Sequence, residues 1–182
     1  MSSATFDQIT REHAVIAAMM DLLDREVGDL ASLGHFDIDL VRLILRYMNE
    51  YPDRFHHRRE ELLFDVATGK DASFATCAEG IRAEHSNLPD TTAQLADLVE
   101  RIELGEAMPR DVVLGKLRGY IVRQREHIRN ENEEVFPAML SILNADDWSQ
   151  ADSQNARIDD PLAGGRDPGP FRRLQELILS AS

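Results

Sequence analysis

The chain has 182 residues, with 33 acidic and 20 basic side chains and a single cysteine, Cys77. That length suffices for one domain with a sizeable core, and one thiol excludes an internal disulfide or a cysteine-only metal site. A net charge of −13 with no opposing Lys/Arg cluster argues against nucleic acid or an anionic membrane surface as partner. No run approaches the roughly 20 apolar residues of a membrane span, and the opening MSSATFDQITREH lacks a signal peptide's apolar stretch, so a cytoplasmic location is expected.

The first helix is expected to start at Thr5, where Thr5-Phe6-Asp7-Gln8 has the form of a capping box. Its apolar seam runs Phe6, Ile9, His13, Ile16, Met20, Leu23, Val27 and Leu30 in steps of three and four. His13 is the polar member of that seam. Taken alone, a histidine on an apolar face is more often a hydrogen-bonded core residue than a ligand. Gly34 ends the helix, and Asp37 supplies an N-cap for the next.

Helix two is expected from about Asp37 to Thr68, with Pro52 kinking it or forcing a restart at Asp53. Within it lies Phe55–Phe64, FHHRREELLF. At about 100° per residue, His56, Glu60 and His57 share one arc of the wheel, with Arg58 and Arg59 on the far side. Glu61 lies about 140° from His56 and would replace Glu60 only in a rotated helix. A solvated charged face would tolerate the same residues. A second His-x-x-x-Glu, His127–Glu131, favours a site instead.

The third helix carries Phe74, Ala78, Ile81, His85, Leu88, Thr92, Leu95, Val99 and Ile102, again with one histidine in the seam and with Pro89 expected to bend it. Pro109 suits the first turn of the fourth helix, whose seam is Val113, Leu117, Tyr120, Gln124, His127, Glu131 and Val135; regular helix is expected to weaken near Pro137. After Asn144 the pattern reads as a short helix, the loop DPLAGGRDPGP and an amphipathic helix FRRLQELILS. The expected fold is all-α: an up-down-up-down four-helix bundle over residues 1–143, and an extension over 144–182 packed on or beside it.

Folded with turns near Gly34, Lys70 and Ala107, such a bundle brings His13, His56, His85, His127, Glu60 and Glu131 to one level within about 1.5–7.5 Å. Two buried carboxylates would each cost several kcal/mol if unpaired, and metal ions remove that cost. Imidazole and carboxylate donors without thiolate favour non-haem iron, with manganese or zinc as substitutes. A pair of carboxylates favours two ions over one. The Glu-x-x-His order of ferritin-like bundles is missing.

Glu12-His13, Tyr51–Phe64, Glu84-His85 and His127–Pro137 together resemble the hemerythrin family, with its His-His-Glu cation-binding signature, over about residues 5–143. The DDW and DDPLAGG segments resemble extensions of bacterial members. The resemblance implies a di-iron centre with an oxo or hydroxo bridge, terminal ligands His13, His56, His85 and His127, and bridging Glu60 and Glu131. Respiratory members have a second histidine in helix three, where this chain has Ile81 or Pro89. His57 is the natural replacement, and His35, in a loop, is not expected to bind. Of about twelve positions on two octahedral ions, five histidines, two bridging carboxylates and the bridge leave one open. The implied function is binding or sensing of O2 or a related small molecule such as NO or peroxide. The alternative is an enzyme of the same fold detoxifying peroxide or NO, or a protein of iron homeostasis. Ile16, Phe55, Ile81 and Tyr120 are expected to keep water from the centre.

Overall fold

The structure is a computed structural model that describes residues 3–158 and 172–181, and over these it is all-helical, without strands. Helix α1 spans Ala4–Leu33 and stops at Gly34, whose φ of 79° is the left-handed cap that glycine adopts freely. Its start differs from the sequence expectation. Ser3 is the N-cap, its hydroxyl accepting from the Phe6 N–H, while Thr5 is buried in the first turn. The reason is tertiary: the Asp152 carboxylate accepts from Ser3 Oγ at 2.7 Å and from the Thr5 N–H at 2.9 Å, supplying the negative charge a helix start favours.

Helix α2 covers Ile38–Glu50 behind an Asp37 N-cap. At Pro52 the chain neither simply kinks nor breaks. It forms a π-turn, Pro52–His56, closed by the His57 N–H bonding to the Pro52 carbonyl, and continues as α3, His57–Lys70. Helix α4, Phe74–Glu103, continues through the Pro89 position without ending there. Pro89 has no N–H to give the carbonyl of His85, four residues back. Helix α5, Arg110–Asn130, starts right after Pro109 and passes into a second π-turn, Glu131–Val135, then α6, Phe136–Ile142. Pro137 therefore follows a widened turn and sits in the first turn of a resumed helix. Helix α7, Ala145–Asn155, has a true capping box between Asn144 and Asp147, and α8 spans Arg172–Ala181. The expected DPLAGGRDPGP loop lies outside the described residues.

α1 packs on α5, α2 on α4, and α3 on both α4 and α7, while α8 lies against α1 and α2. The apolar core forms two clusters. One holds Ile16, Met20, Leu23, Ile44, Leu45, Leu95, Leu117 and Ile121; the other holds Ile9, Leu63, Phe64, Ile81, Val135, Phe136, Met139 and Trp148. The layer between them is set by the sequence itself. His13 stands between Ile9 and Ile16, His56 and Glu60 between Tyr51 and Leu63, and His85 between Ile81 and Leu95; His127 and Glu131 stand between Ile121 and Val135. Among the described residues, no helix is long and apolar enough to cross a membrane.

Candidate metal centre

The polar layer brings together the seven residues singled out in the sequence. His13, His56, His57, Glu60, His85, His127 and Glu131 are all buried, the two carboxylates completely, at 0 % exposure. Glu60 Oε1 lies 3.1 Å from His13 Nε2 and 3.2 Å from His56 Nε2. Glu131 Oε1 lies 3.3 Å from His85 Nε2 and 3.5 Å from His127 Nε2, and Glu131 Oε2 is 3.3 Å from His13 Nε2. The His57 ring stacks on that of His85 at 4.2 Å between centroids. Candidate donor atoms of His13, His56 and Glu60 lie within 4.8 Å of one another, as do those of His57, His85 and His127, and those of Glu60, His85 and Glu131.

Several of these atoms make no hydrogen bond within the protein, although Glu131 Oε2, Glu60 Oε2 and His127 Nε2 each have an ion-pairing group at 3.3–3.5 Å. Glu60 Oε2, Glu131 Oε2, His127 Nε2 and His57 Nδ1 are buried without a hydrogen-bond partner. Native interiors rarely leave such groups unmatched. Four in one layer, all lone-pair donors of nitrogen or oxygen, match what a hard or borderline cation takes. The donor set therefore fits metal ions.

Electrostatics points the same way. Burial opposes a charge on His13, but Glu131 and Glu60 outweigh it and raise its pKa to about 10. Burial likewise opposes a charge on His85, yet Glu131, Glu60 and Glu61 raise it to about 11. Burial would lift Glu60, but His56, His13 and His85 hold it well below the usual carboxylate range. Glu131 is also held low, by His13, His85 and His127, against burial and the charge of Glu60. Burial and the neighbouring His85 and His56 push His57 far down, leaving it a neutral imidazole ready to donate. Protons on His13 and His85 balance carboxylates that a cation would balance in their place.

The other nitrogen of four of the five rings is held by a residue outside the expected ligand set. Glu12 Oε2 accepts from His56 Nδ1 at 3.0 Å, Glu61 Oε1 from His85 Nδ1 at 2.9 Å, Glu84 Oε2 from His127 Nδ1 at 2.6 Å, and Asn132 Oδ1 from His13 Nδ1 at 3.1 Å. The supports form a circle: α1 holds the ring at the start of α3, α3 holds α4, α4 holds α5, and the π-turn after α5 holds α1. Each acceptor is a sequence neighbour of a site residue. The offset of about 100° between neighbours on a helix turns it away from its own histidine and toward the next helix. These acceptors hold a proton on Nδ1 and turn Nε2 toward the centre. The signal was present in the pairs Glu12-His13, Glu84-His85, Glu60-Glu61 and Glu131-Asn132.

One expectation needs correction. Arg59 does not face solvent: it is 1 % exposed, and its Nη1 donates to Glu12 Oε1 at 2.8 Å. The wheel treated the far side of α3 as open, whereas α7 covers it. Glu61 stays outside the convergent set, supporting His85 and pairing with Arg82 instead. His35 is exposed in the turn between α1 and α2.

Beside His56, His57 and His127 lies a small cavity walled by Ile16, Met48, Leu88, Ile128, Thr92 and Gln124, with Pro52 and Pro89 at its edge. Its room for the centre of a water-sized sphere is about 10 Å3, roughly one water. Thr92, in its wall, lies 3.2 Å from the Tyr120 hydroxyl behind it, and burial raises the Tyr120 pKa to about 12. Of the expected apolar neighbours, Ile16 lines this cavity, Ile81 lies in the Phe64 cluster and Phe55 is half-buried against Tyr51. A larger open groove of about 950 Å3 between α3 and α7 carries mixed surface charges, Arg58, Asp65, Lys70 and Asp147 among them.

No curated protein and no solved structure matches the chain. A family model described as the hemerythrin HHE cation binding domain matches residues 4–139. With three quarters of its length matched and the His and Glu residues of that domain gathered in one buried layer, the chain belongs to the hemerythrin HHE cation-binding family.

Proposed function

We propose that this protein holds two iron ions and uses them to bind or sense O2 or a related small oxidant such as NO or peroxide. The observation that carries the reading is the set of buried imidazole and carboxylate atoms in one layer, four of them without a hydrogen bond within the protein. His13 and His56 would serve one ion and His57, His85 and His127 the other, with Glu60 and Glu131 between them. Iron in such a nitrogen–oxygen environment supplies reversible electron exchange with a small oxidant.

The chain's own residues do the rest. Glu12, Glu61, Glu84 and Asn132 keep four rings oriented with Nε2 inward, and Glu60 and Glu131 supply negative charge that two cations neutralise. Ile16, Met48, Leu88 and Ile128 keep bulk water out of a cavity that admits something the size of a diatomic molecule. We read α1, the α2–α3 pair, α4 and the α5–α6 pair as the four arms of an up-down-up-down bundle over residues 1–143, with 144–182 as its extension.

Metal analysis of protein made in iron-replete medium tests this directly. About two irons per chain, and an optical spectrum that changes on reduction and again, reversibly, on exposure to O2, are expected. One iron per chain, or zinc alone, would refute the two-iron reading. Sustained consumption of peroxide or NO over many turnovers, without a reversible O2 response, would replace the binding role by the enzymatic one.

A further inference from the structure

Arg59 brings a full positive charge into the interior beside the site. Its Nη1 donates to Glu12 Oε1 at 2.8 Å, and its Nε donates to Asn155 Oδ1 at 3.1 Å. Glu12 Oε1 also accepts from the Tyr51 hydroxyl at 2.8 Å and from Gln8 Nε2 at 3.2 Å, while its Oε2 holds His56 Nδ1. Asn155 closes the circuit, its Nδ2 reaching Gln8 Oε1 at 3.4 Å. Asn155 is the last residue of α7, which lies beyond the family match ending at residue 139. Glu61 and Glu84, the carboxylates behind His85 and His127, are partly exposed, at 31 % and 38 %; Glu12 is buried and depends on this circuit.

We propose that α7 is a working part of the metal centre: Asn155, acting through Arg59 and Glu12, sets the orientation and donor strength of His56. A buried carboxylate stays ionised and in place only when a cation and hydrogen bonds fix it. An ionised carboxylate on Nδ1 makes Nε2 the stronger donor and fixes the ring plane. Loss of the Asn155 carbonyl removes the acceptor that fixes the Arg59 Nε–H, which loosens the guanidinium and lets Glu12 shift with it. Arg59 and Asn155 are thus positioning residues, and their effect falls on the position served by His13 and His56, not on that served by His57, His85 and His127. The proposal rests on the two-iron reading.

Arg59→Ala would leave the Glu12 charge buried and endanger folding, so the test uses Asn155→Ala and Asn155→Asp in the full chain, loaded with iron. The unmodified chain should take up two equivalents. Asn155→Ala should keep its fold by circular dichroism and still take up two, but in competition with a chelator one of the two should bind roughly 10–100-fold more weakly. Asn155→Asp, which retains the acceptor, should restore it. Unchanged affinities in Asn155→Ala, an equal fall in both, or no restoration by Asp would overturn the coupling while leaving the two-iron reading intact. Fewer than two equivalents in the unmodified chain would refute the two-iron reading, and this proposal with it.

Discussion

Replacing Glu60 by glutamine removes one negative charge and almost no volume from a site with no solvent access. In the unmodified metal-free protein, the His13 pKa of about 10 against an ordinary 6.5 represents roughly 5 kcal/mol of proton affinity, at 1.36 kcal/mol per unit. That is a net figure, left after burial has opposed Glu131 and Glu60, so Glu60→Gln should forfeit at least half of it, partly offset by relief of the Glu60–Glu131 repulsion, a loss on the order of 2–3 kcal/mol. That agrees in order with the 3–5 kcal/mol lost on breaking a buried ion pair. The sign fixes the pH window. A histidine whose pKa is raised on folding contributes its full stability below pH 6.5 and loses it as pH rises through about 10. Measured by thermal melting near pH 6, metal-free Glu60→Gln should melt roughly 4–12 °C lower, at 2–4 °C per kcal/mol for a chain of this size. The same substitution should abolish uptake of two irons, because Glu60 Oε1 stands between His13 and His56. Glu61→Gln, altering a partly exposed carboxylate that touches only the outer nitrogen of His85, should keep two irons with affinity about 10–100-fold lower. Equal loss from both variants, or full retention in Glu60→Gln, would refute this assignment of the carboxylates.

Removing the metal with a chelator should lower the melting temperature by roughly 5–16 °C, since a ligand present at 100–1,000 times its dissociation constant stabilises by about 2.7–4.1 kcal/mol; coincident melting curves with and without verified metal would count against a core site. Metal uptake near pH 7 should release about two protons per chain, because His13 and His85 hold theirs to about pH 10 and 11 and must give them up to bind. Calorimetry in buffers of different ionisation enthalpy measures the number, and none released would contradict the proton-for-metal exchange. Ser3 and the Ala4 and Thr5 N–H groups, against burial, hold the Asp152 pKa below its ordinary 3.8, so its stabilising contact is present above pH 3.8 and is lost as pH falls through the lowered value. Trp148 emission in α7 should therefore shift on acidification below pH 3.8, before the far-ultraviolet signal changes; simultaneous change would show that α7 does not release on its own.

The helices and the inward histidines were legible because burial writes a period of three and four into the chain. His13 and His85 each interrupt an otherwise apolar seam, and counting residues from the turns was enough to place them at one level. His57 was legible from the arc it shares with His56 and Glu60, and the missing histidine at Ile81 or Pro89 gave it the fifth ligand position. Arg59 was not legible at all. Its burial depends on α7, which joins the chain nearly a hundred residues later, and local periodicity carries nothing about such a contact. The start of α1 was misread for the same reason. Thr5-Phe6-Asp7-Gln8 is locally a sound capping box, but the Asp152 carboxylate, reaching Ser3 and the Thr5 N–H, moves the cap two residues back.

The two π-turns explain how a pattern that looks regular on a wheel can serve a site that is not. Each His-x-x-x-Glu segment is flanked by one, before His56 and after His127–Glu131: the His57 N–H reaches back five residues to Pro52, and the Phe136 N–H reaches back five to Glu131. A regular α-helix turns about 100° per residue, so His56 and His57 would stand at opposite edges of their shared arc. A widened turn ending at His56 slows that rotation locally and presents both rings inward, His56 toward Glu60 and His57 toward His85. At the second, the regular helical turn before it sets Glu131 within 3.5 Å of His127, and the π-turn that begins at Glu131 carries Asn132, whose Oδ1 meets His13 on α1. Widened turns sacrifice hydrogen-bond geometry, which is why they are rare outside functional sites. Proline makes them cheaper here. Pro52 opens the first turn and Pro137 follows the second, each withholding an N–H that regular helix would have required. The prolines that break the helical pattern in the sequence are thus part of the device that aims its histidines.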